Sequence, residues 1–301
     1  PFVQGARNVL VPSRAAARRF VRFAPSTHIL LAPHTDVTET THLPTPTPRP
    51  VAAGASLKIV VIGALSTIKG ADVLEDVATE AARRNAPIEF HLLGYGYRHL
   101  RAQPRARLTV HGSYDEKDLP ALLQWLQPDL AWFPAQWPET YSYTLSACLQ
   151  AGLPVVAPDL GAFAERLAGR PWSWVHPWAS SATDWVQWFA QLREAHFADL
   201  NAPQPPATLA PQPEDALIQP WDYHRDYTQG LTTANTAATA IPSATQLANL
   251  RPASPSAPSL RQGLVGVLMR LRAAPGLRQL ARTVPAHWQR RAKNWLLGHR
   301  V

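Results

Sequence analysis

The sequence predicts a doubly wound, parallel α/β (Rossmann-like) fold, and three observations carry that prediction. Apolar runs of strand length alternate with segments of helical spacing across residues 57–198. The first run, LKIVVIGAL (57–65), is almost continuously apolar, as a strand buried on both faces must be. Each run gives way to a turn and then a helix, the pattern of right-handed βαβ crossovers. Composition permits this. The 301 residues are 46% hydrophobic, enough for a substantial core. A single cysteine, Cys148, excludes a disulfide framework and a multi-cysteine zinc site. No 18 apolar residues run together, and the opening PFVQGARNVL lacks the layout of a signal peptide.

Residues 8–35 read as strand, helix, strand (NVLVPS, AAARRFVRF, THILLAP), with Ser13 placed to cap the helix. Pro44, Pro46, Pro48 and Pro50 make 42–56 a stiff extended connector that sets residues 1–41 apart from the main body. Within 57–198, helix 71–84 lines Val73, Leu74, Val77 and Ala81 on one stripe. Further strands are expected at 88–94, 107–112, 130–134, 154–159 and 172–177, with helices at 118–127, 143–152 and 181–197. Residues 199–220 are Pro-rich, and WDYHRDY (221–227) reads as a short closing helix. Segment 228–260 is Ala, Thr, Ser and Pro with Arg251 its sole charge, a composition expected to form a disordered linker. Pro275 and Pro285 divide the tail 261–301 into short amphipathic helices. There is no internal repeat.

Charge follows the same boundaries. The formal net charge is +8, yet residues 261–301 hold nine basic residues and no acid. The remainder balances 20 basic against 21 acidic residues. A nucleic-acid-binding domain should carry its positive stripe on the folded body, so no nucleic-acid partner is expected. The Arg/Lys and Leu/Trp faces of the tail suit an anionic membrane surface, and equally suit docking on another domain.

In an open parallel sheet, ligands bind beyond the carboxyl ends of the strands. After the first body strand comes GALSTIKG (63–70). Gly63 allows a close backbone turn, Leu65 follows it, the next helix start offers free amides, and Lys69 adds an ammonium. That combination suits a phosphate, although a Lys-Gly before a helix is more often a solvated turn and no complete phosphate-loop motif is present. Gly94 and Gly96 flank Tyr95 in what reads as a flexible turn with an exposed ring. Ser113 and Tyr114 follow Gly112, either as a plain turn or as amides that meet a planar base. The richest stretch is FPAQWPETYSYTLSACLQAGLPVVAPDLGAFAERL (133–167). Glu139, Thr140, Tyr141, Ser142, Tyr143 and Thr144 concentrate a carboxylate, hydroxyls and amides where a helix opens, chemistry suited to a polyhydroxylated ligand.

This stretch resembles the retaining glycosyltransferases of family 4, whose fold is the two-domain GT-B arrangement. Pro134, Glu139, Tyr141, Gly152, Pro154, Val155, Val156, Ala157, Asp159, Gly161 and Glu165 fall in register with the family pattern. The resemblance covers 57–198 as the donor-binding C-terminal domain, with 8–37 as the end of the acceptor domain. It implies transfer of a hexose from a nucleoside diphosphate sugar to a glycan or lipid-linked acceptor, with retention and without an obligatory metal or other cofactor. It implies that Glu139 accepts hydrogen bonds from the sugar, that the amides of Tyr141, Ser142 and Tyr143 face sugar and diphosphate, and that Lys69 neutralises the leaving group. Gly63, Leu65, Gly94, Tyr95, Ser113, Tyr114, Thr140 and Thr144 complete the expected donor site. A cytoplasmic location, with the tail at the inner face of the plasma membrane, goes with it.

Three departures stand against the family pattern. Its second glutamate is Ala147 here, expected two helical turns from Glu139 on the same site. Its first-turn arginine is Ala64, leaving Lys69 alone there. Most of the acceptor domain is absent from these residues, and the one methionine is Met269. A non-catalytic nucleotide-sugar-binding module and an epimerase on the same fold are therefore the rival readings. Other residues read as structural: His91 and His111 on strands, Asp115, Glu116 and Asp118 as a capping cluster, Cys148 as a buried small hydrophobe. Trp172, Trp174, Trp178, Trp185 and Trp188 are expected to pack.

Overall fold

The computed structural model describes residues 3–34, 43–100 and 107–228. The expected linker 228–260, apart from Thr228, and the basic tail 261–301 lie outside the described residues. The chain divides into a compact unit Pro1–Thr228 and a second unit Gln229–Val301.

Unit 1 holds a six-stranded, wholly parallel sheet in the order β5-β4-β3-β6-β7-β8. Its strands are β3 (Leu57–Leu65), β4 (Ile88–Gly96), β5 (Leu108–Gly112), β6 (Leu130–Trp132), β7 (Val155–Pro158) and β8 (Ser173–His176). The chain adds strands on one side of β3 and then returns to add them on the other. Beside β3 and β6 the winding reverses, the crevice where such sheets take ligands. The doubly wound Rossmann-like fold is thus the one the apolar runs predicted.

Helices cover both faces because the apolar strands need two partners. On one face α2 (Ala71–Arg83) and α6 (Ala182–Leu192) pack with Ile59, Val61, Phe90, Leu92 and Trp132. On the other, α3 (Leu119–Leu126), α4 (Tyr143–Gln150) and α5 (Phe163–Leu167) enclose Val60, Ile62, Leu93, Ala131 and Val155. Alternate residues of β3 serve opposite cores, which is why its run shows no polar alternation. Cys148 is fully buried, and burial pushes its thiol up to about 12, as a structural cysteine requires.

A separate three-stranded parallel sheet has the order β1-β2-β9. Strands β1 (Val9–Val11) and β2 (Ile29–Leu31) flank α1 (Arg14–Phe23), whose Ser13 cap accepts the Ala16 amide at 3.2 Å. The third strand, β9 (Ile218–Pro220), arrives from the other end of the unit and was not expected in the Pro-rich segment. The closing helix expected at 221–227 is instead a single π-turn, His224–Thr228. The connector is pinned to the body: Val51 donates to Phe197 O at 2.8 Å, and the buried Arg193 donates to Ala52 O and Ala55 O.

Several local expectations differ. Gly94 and Gly96 do not form a turn; β4 runs through them, with Gly94 opposite Gly63 and Tyr95 opposite Ala64. The backbones touch so closely that a Cβ at Gly94 would stand 2.0 Å from Gly63 O. The side chain of Asp115 does not cap the turn Glu116–Asp118 but pairs with Lys117 at 3.4 Å. Trp178 is 42% exposed, whereas Trp172 and Trp185 are buried as packing residues.

Candidate functional site

At the reversal of winding lies a cavity of ≈230 Å³. It is walled by β3, by the loop after β6 and by the start of α4, and it reaches His34 beyond β2. Of the residues singled out in the sequence, Gly63, Leu65, Lys69, Glu139, Thr140, Tyr141, Ser142, Tyr143 and Thr144 line it. Gly94, Tyr95, Ser113 and Tyr114 do not; they sit at the ends of the neighbouring strands β4 and β5. Tyr114 packs against the core of the α3–α4 face, where burial raises its phenol.

Lys69 and Glu139 meet across the cavity, Nζ to Oε1 at 3.9 Å. They come from different crossovers. Lys69 ends the turn after β3, and Glu139 lies in the loop from β6 to α4. Gly161 fixes the second of these. It has φ of 59° and lies so close that a Cβ would stand 2.3 Å from Glu139 O. The Glu139 carbonyl then accepts the Ala162 amide at 2.9 Å, tying the loop to the segment after β7.

The start of α4 is strained and firmly held. Ser142 has φ of 73°, a conformation that costs a non-glycine residue about 1–3 kcal/mol and persists only where surroundings over-determine it. Arg166 of α5 supplies that constraint. Its Nη1 donates to Tyr141 O at 2.9 Å and Ser142 O at 2.8 Å, and its Nη2 donates to the buried Ser146 Oγ at 2.8 Å. The guanidinium also lies 4.0 Å from the Tyr141 ring centroid. Ser142 Oγ accepts the Leu145 amide at 3.4 Å, and Tyr143 and Thr144, the first residues of the helix, line the cavity. A helix N-terminus beside an ammonium favours an anion, and an adjacent carboxylate accepts hydroxyls. Among the described residues no group of three or more His, Cys, Asp or Glu could hold a metal ion.

His34 and Arg166 escaped the sequence reading, since neither has a local signal. His34 packs its ring edge-on to Tyr141 at 4.7 Å and stacks on Tyr143 at 5.2 Å. Ala147 behaves differently from expectation. Only the part of 139–147 after Ser142 is helical, so position 147 is one turn into α4 rather than two turns from Glu139. It lines a larger cleft of ≈790 Å³ at the amino ends of β6 and β7, away from the Lys69–Glu139 cavity. Glu165 also lies outside the cavity: its carboxylate accepts the amides of Arg14 and Ala15 at 3.0 and 2.9 Å, joining the large sheet to the start of α1.

Among solved structures, sucrose-phosphate synthase from Thermosynechococcus elongatus is 19% identical, with a TM-score of 0.43 over 66% of this chain and 52% of that one. The Anabaena protein Alr3699/HepE, in complex with UDP, is 17% identical with a TM-score of 0.43 over 63% and 55%. The lipopolysaccharide outer core galactosyltransferase WaaB is 11% identical with a TM-score of 0.43 over 64% and 54%. The chain therefore spans about half the length of these structures. No curated protein is significantly similar in sequence. Residues 56–191, which contain the six-stranded sheet and both Lys69 and Glu139, match the family model of the glycosyl transferases, group 1.

Proposed function

We propose that this chain is the donor-binding part of a GT-B glycosyltransferase of the retaining, family 4 type. The observation that carries the reading is the meeting of Lys69 and Glu139 at the N-terminus of α4, where the winding of the sheet reverses. The reaction is transfer of a hexose from a nucleoside diphosphate sugar to a glycan or lipid-linked acceptor. Glu139 accepts hydrogen bonds from sugar hydroxyls and holds the ring. Lys69 and the Tyr143 and Thr144 amides bind the diphosphate and offset the charge that grows as the glycosidic bond breaks. In this reading no metal is needed for that neutralisation. The cavity is smaller than a complete ligand site, so it takes the sugar and diphosphate. The nucleoside lies along the ends of β4 and β5, beside Gly94, Tyr95, Ser113 and Tyr114.

The domain boundaries fit this role: the small sheet is the edge of the acceptor domain, and the connector 42–56 joins the two. The basic tail is proposed to rest on an anionic membrane at the cytoplasmic face, near a lipid-linked acceptor. A module that binds the donor without turnover remains the second reading, because Ala64 and Ala147 replace two family groups.

Calorimetric titration with UDP, GDP, ADP and their hexose conjugates tests the reading. One nucleoside diphosphate is expected to bind in the micromolar range and its sugar conjugate more tightly. Silence across the panel from this chain and from the complete gene product overturns it.

A further inference from the structure

Lys69 is the one lysine or arginine among the described residues that line the cavity. Ala64 does not line the cavity at all, and neither β4 nor α2 brings a basic side chain to it. A second nitrogen group does reach the cavity, from outside the matched segment. His34 follows β2 of the small sheet, and its ring forms part of the wall.

That placement is held from several sides. The ring stacks on Tyr143 with an interplanar angle of 25° and meets Tyr141 edge-on at 88°. Tyr141 Oη donates to the His34 carbonyl at 3.4 Å. Tyr141 is itself buried and fixed by Arg166, so the order runs from α5 through Tyr141 to the imidazole. Both rings around His34 are contacted through their aromatic faces and edges. No hydrogen bond engages either imidazole nitrogen among the described residues. A polar group held by packing alone, beside a helix N-terminus and a lysine, is available to a ligand.

We propose that His34 is a second diphosphate-binding residue, donating a ring N–H to the donor's phosphates opposite Lys69. It makes the donor site a joint product of both sheets. The inference rests on the donor-site reading given above. An imidazole can donate whether neutral or protonated, so no change of charge is required.

The test compares affinity for UDP and UMP, by calorimetry, in the unsubstituted chain and in His34→Phe and His34→Ala. Phenylalanine keeps the packing on Tyr141 and Tyr143 but has no nitrogen. Both variants are expected to bind UDP roughly 10-fold more weakly while UMP affinity changes less than about 3-fold, given that a hydrogen bond to a charged group is at stake. If His34→Phe binds UDP as the unsubstituted chain does, the ring only packs and the assignment is overturned. A parallel loss of UDP and UMP in His34→Phe overturns it equally. If the unsubstituted chain binds no nucleoside diphosphate, the donor-site reading itself falls, a result distinct from either.

Discussion

A lysine and a glutamate 3.9 Å apart, with Lys69 about half exposed, contribute little to each other as an ion pair. Exposed pairs of this kind are worth about 0–1 kcal/mol. Stability therefore gives no strong reason to bring the two together, whereas a ligand that needs a cation and an acceptor side by side does. The consequence is a separation of effects. Lys69→Ala is expected to leave the melting temperature almost unchanged while weakening binding of the nucleoside diphosphate by roughly 10- to 100-fold, the worth of a lost charge-assisted contact. Glu139→Gln keeps the shape and removes the charge, and it is expected to spare the free nucleotide while weakening its sugar conjugate about 10-fold or more. Titrations with nucleotide and nucleotide sugar, paired with melting curves, read both. A loss of stability matching the loss of binding would make the pair structural.

At the scale of elements, the cavity depends on loops that are clamped rather than on long helices. Gly161 shows how. Its positive φ and its approach to Glu139 leave no space for a methyl group, since the contacts are backbone atoms that cannot swing aside. Gly161→Ala is expected to destabilise the unit by about 1–3 kcal/mol and to displace Glu139, lowering sugar-nucleotide affinity along with the melting temperature. Unchanged affinity in a folded Gly161→Ala chain would show that the loop is not set by this contact. The same scale explains what was legible in advance. Strands β3, β6 and β7 announced themselves through apolar runs because they are buried on both faces. Helix α2 did so through its stripe. Strand β9 did not, since three residues ending in proline have no periodicity and their partner β2 is nearly 190 residues away. Helix α5 is only five residues long. The GYG of β4 looked like a turn because glycine favours turns, and only the facing Gly63 shows why a strand needs it there. Lys69 and Glu139 could be read from their places at strand ends. The places of His34 and Arg166 could not, because each is set by tertiary packing.

Across the whole of unit 1, both ends of the unit build the small sheet, and ion pairs at α1 close it. Arg18 grips Asp215 with two hydrogen bonds, Nε to Oδ1 at 2.8 Å and Nη2 to Oδ2 at 2.7 Å, while Arg22 reaches Glu214 at 2.7 Å. These acids lie in the turn Pro213–Leu217 that delivers β9 to β2. The Arg18 hydrogen bonds hold the Asp215 carboxyl down at about 2. Because the folded value is below the ordinary 3.8, the group stabilises the fold fully above that value. The contribution is lost as pH falls from there through about 2. Closure of the small sheet should therefore weaken in acid. Because His34 follows β2, weaker closure is expected to loosen its contacts with Tyr141 and Tyr143 as well. Arg18→Gln is expected to lower the melting temperature at pH 7 and to flatten its fall between about pH 4 and 2. Part of the acid slope should remain, because Arg83 and Arg84 hold Glu80, and Arg225 holds Asp226, at about 2 as well. Melting curves at pH 7, 4, 3 and 2.5 decide the matter. Parallel acid losses in the two chains would mean that Asp215 gains nothing from Arg18 and that the small sheet is closed by its apolar contacts alone.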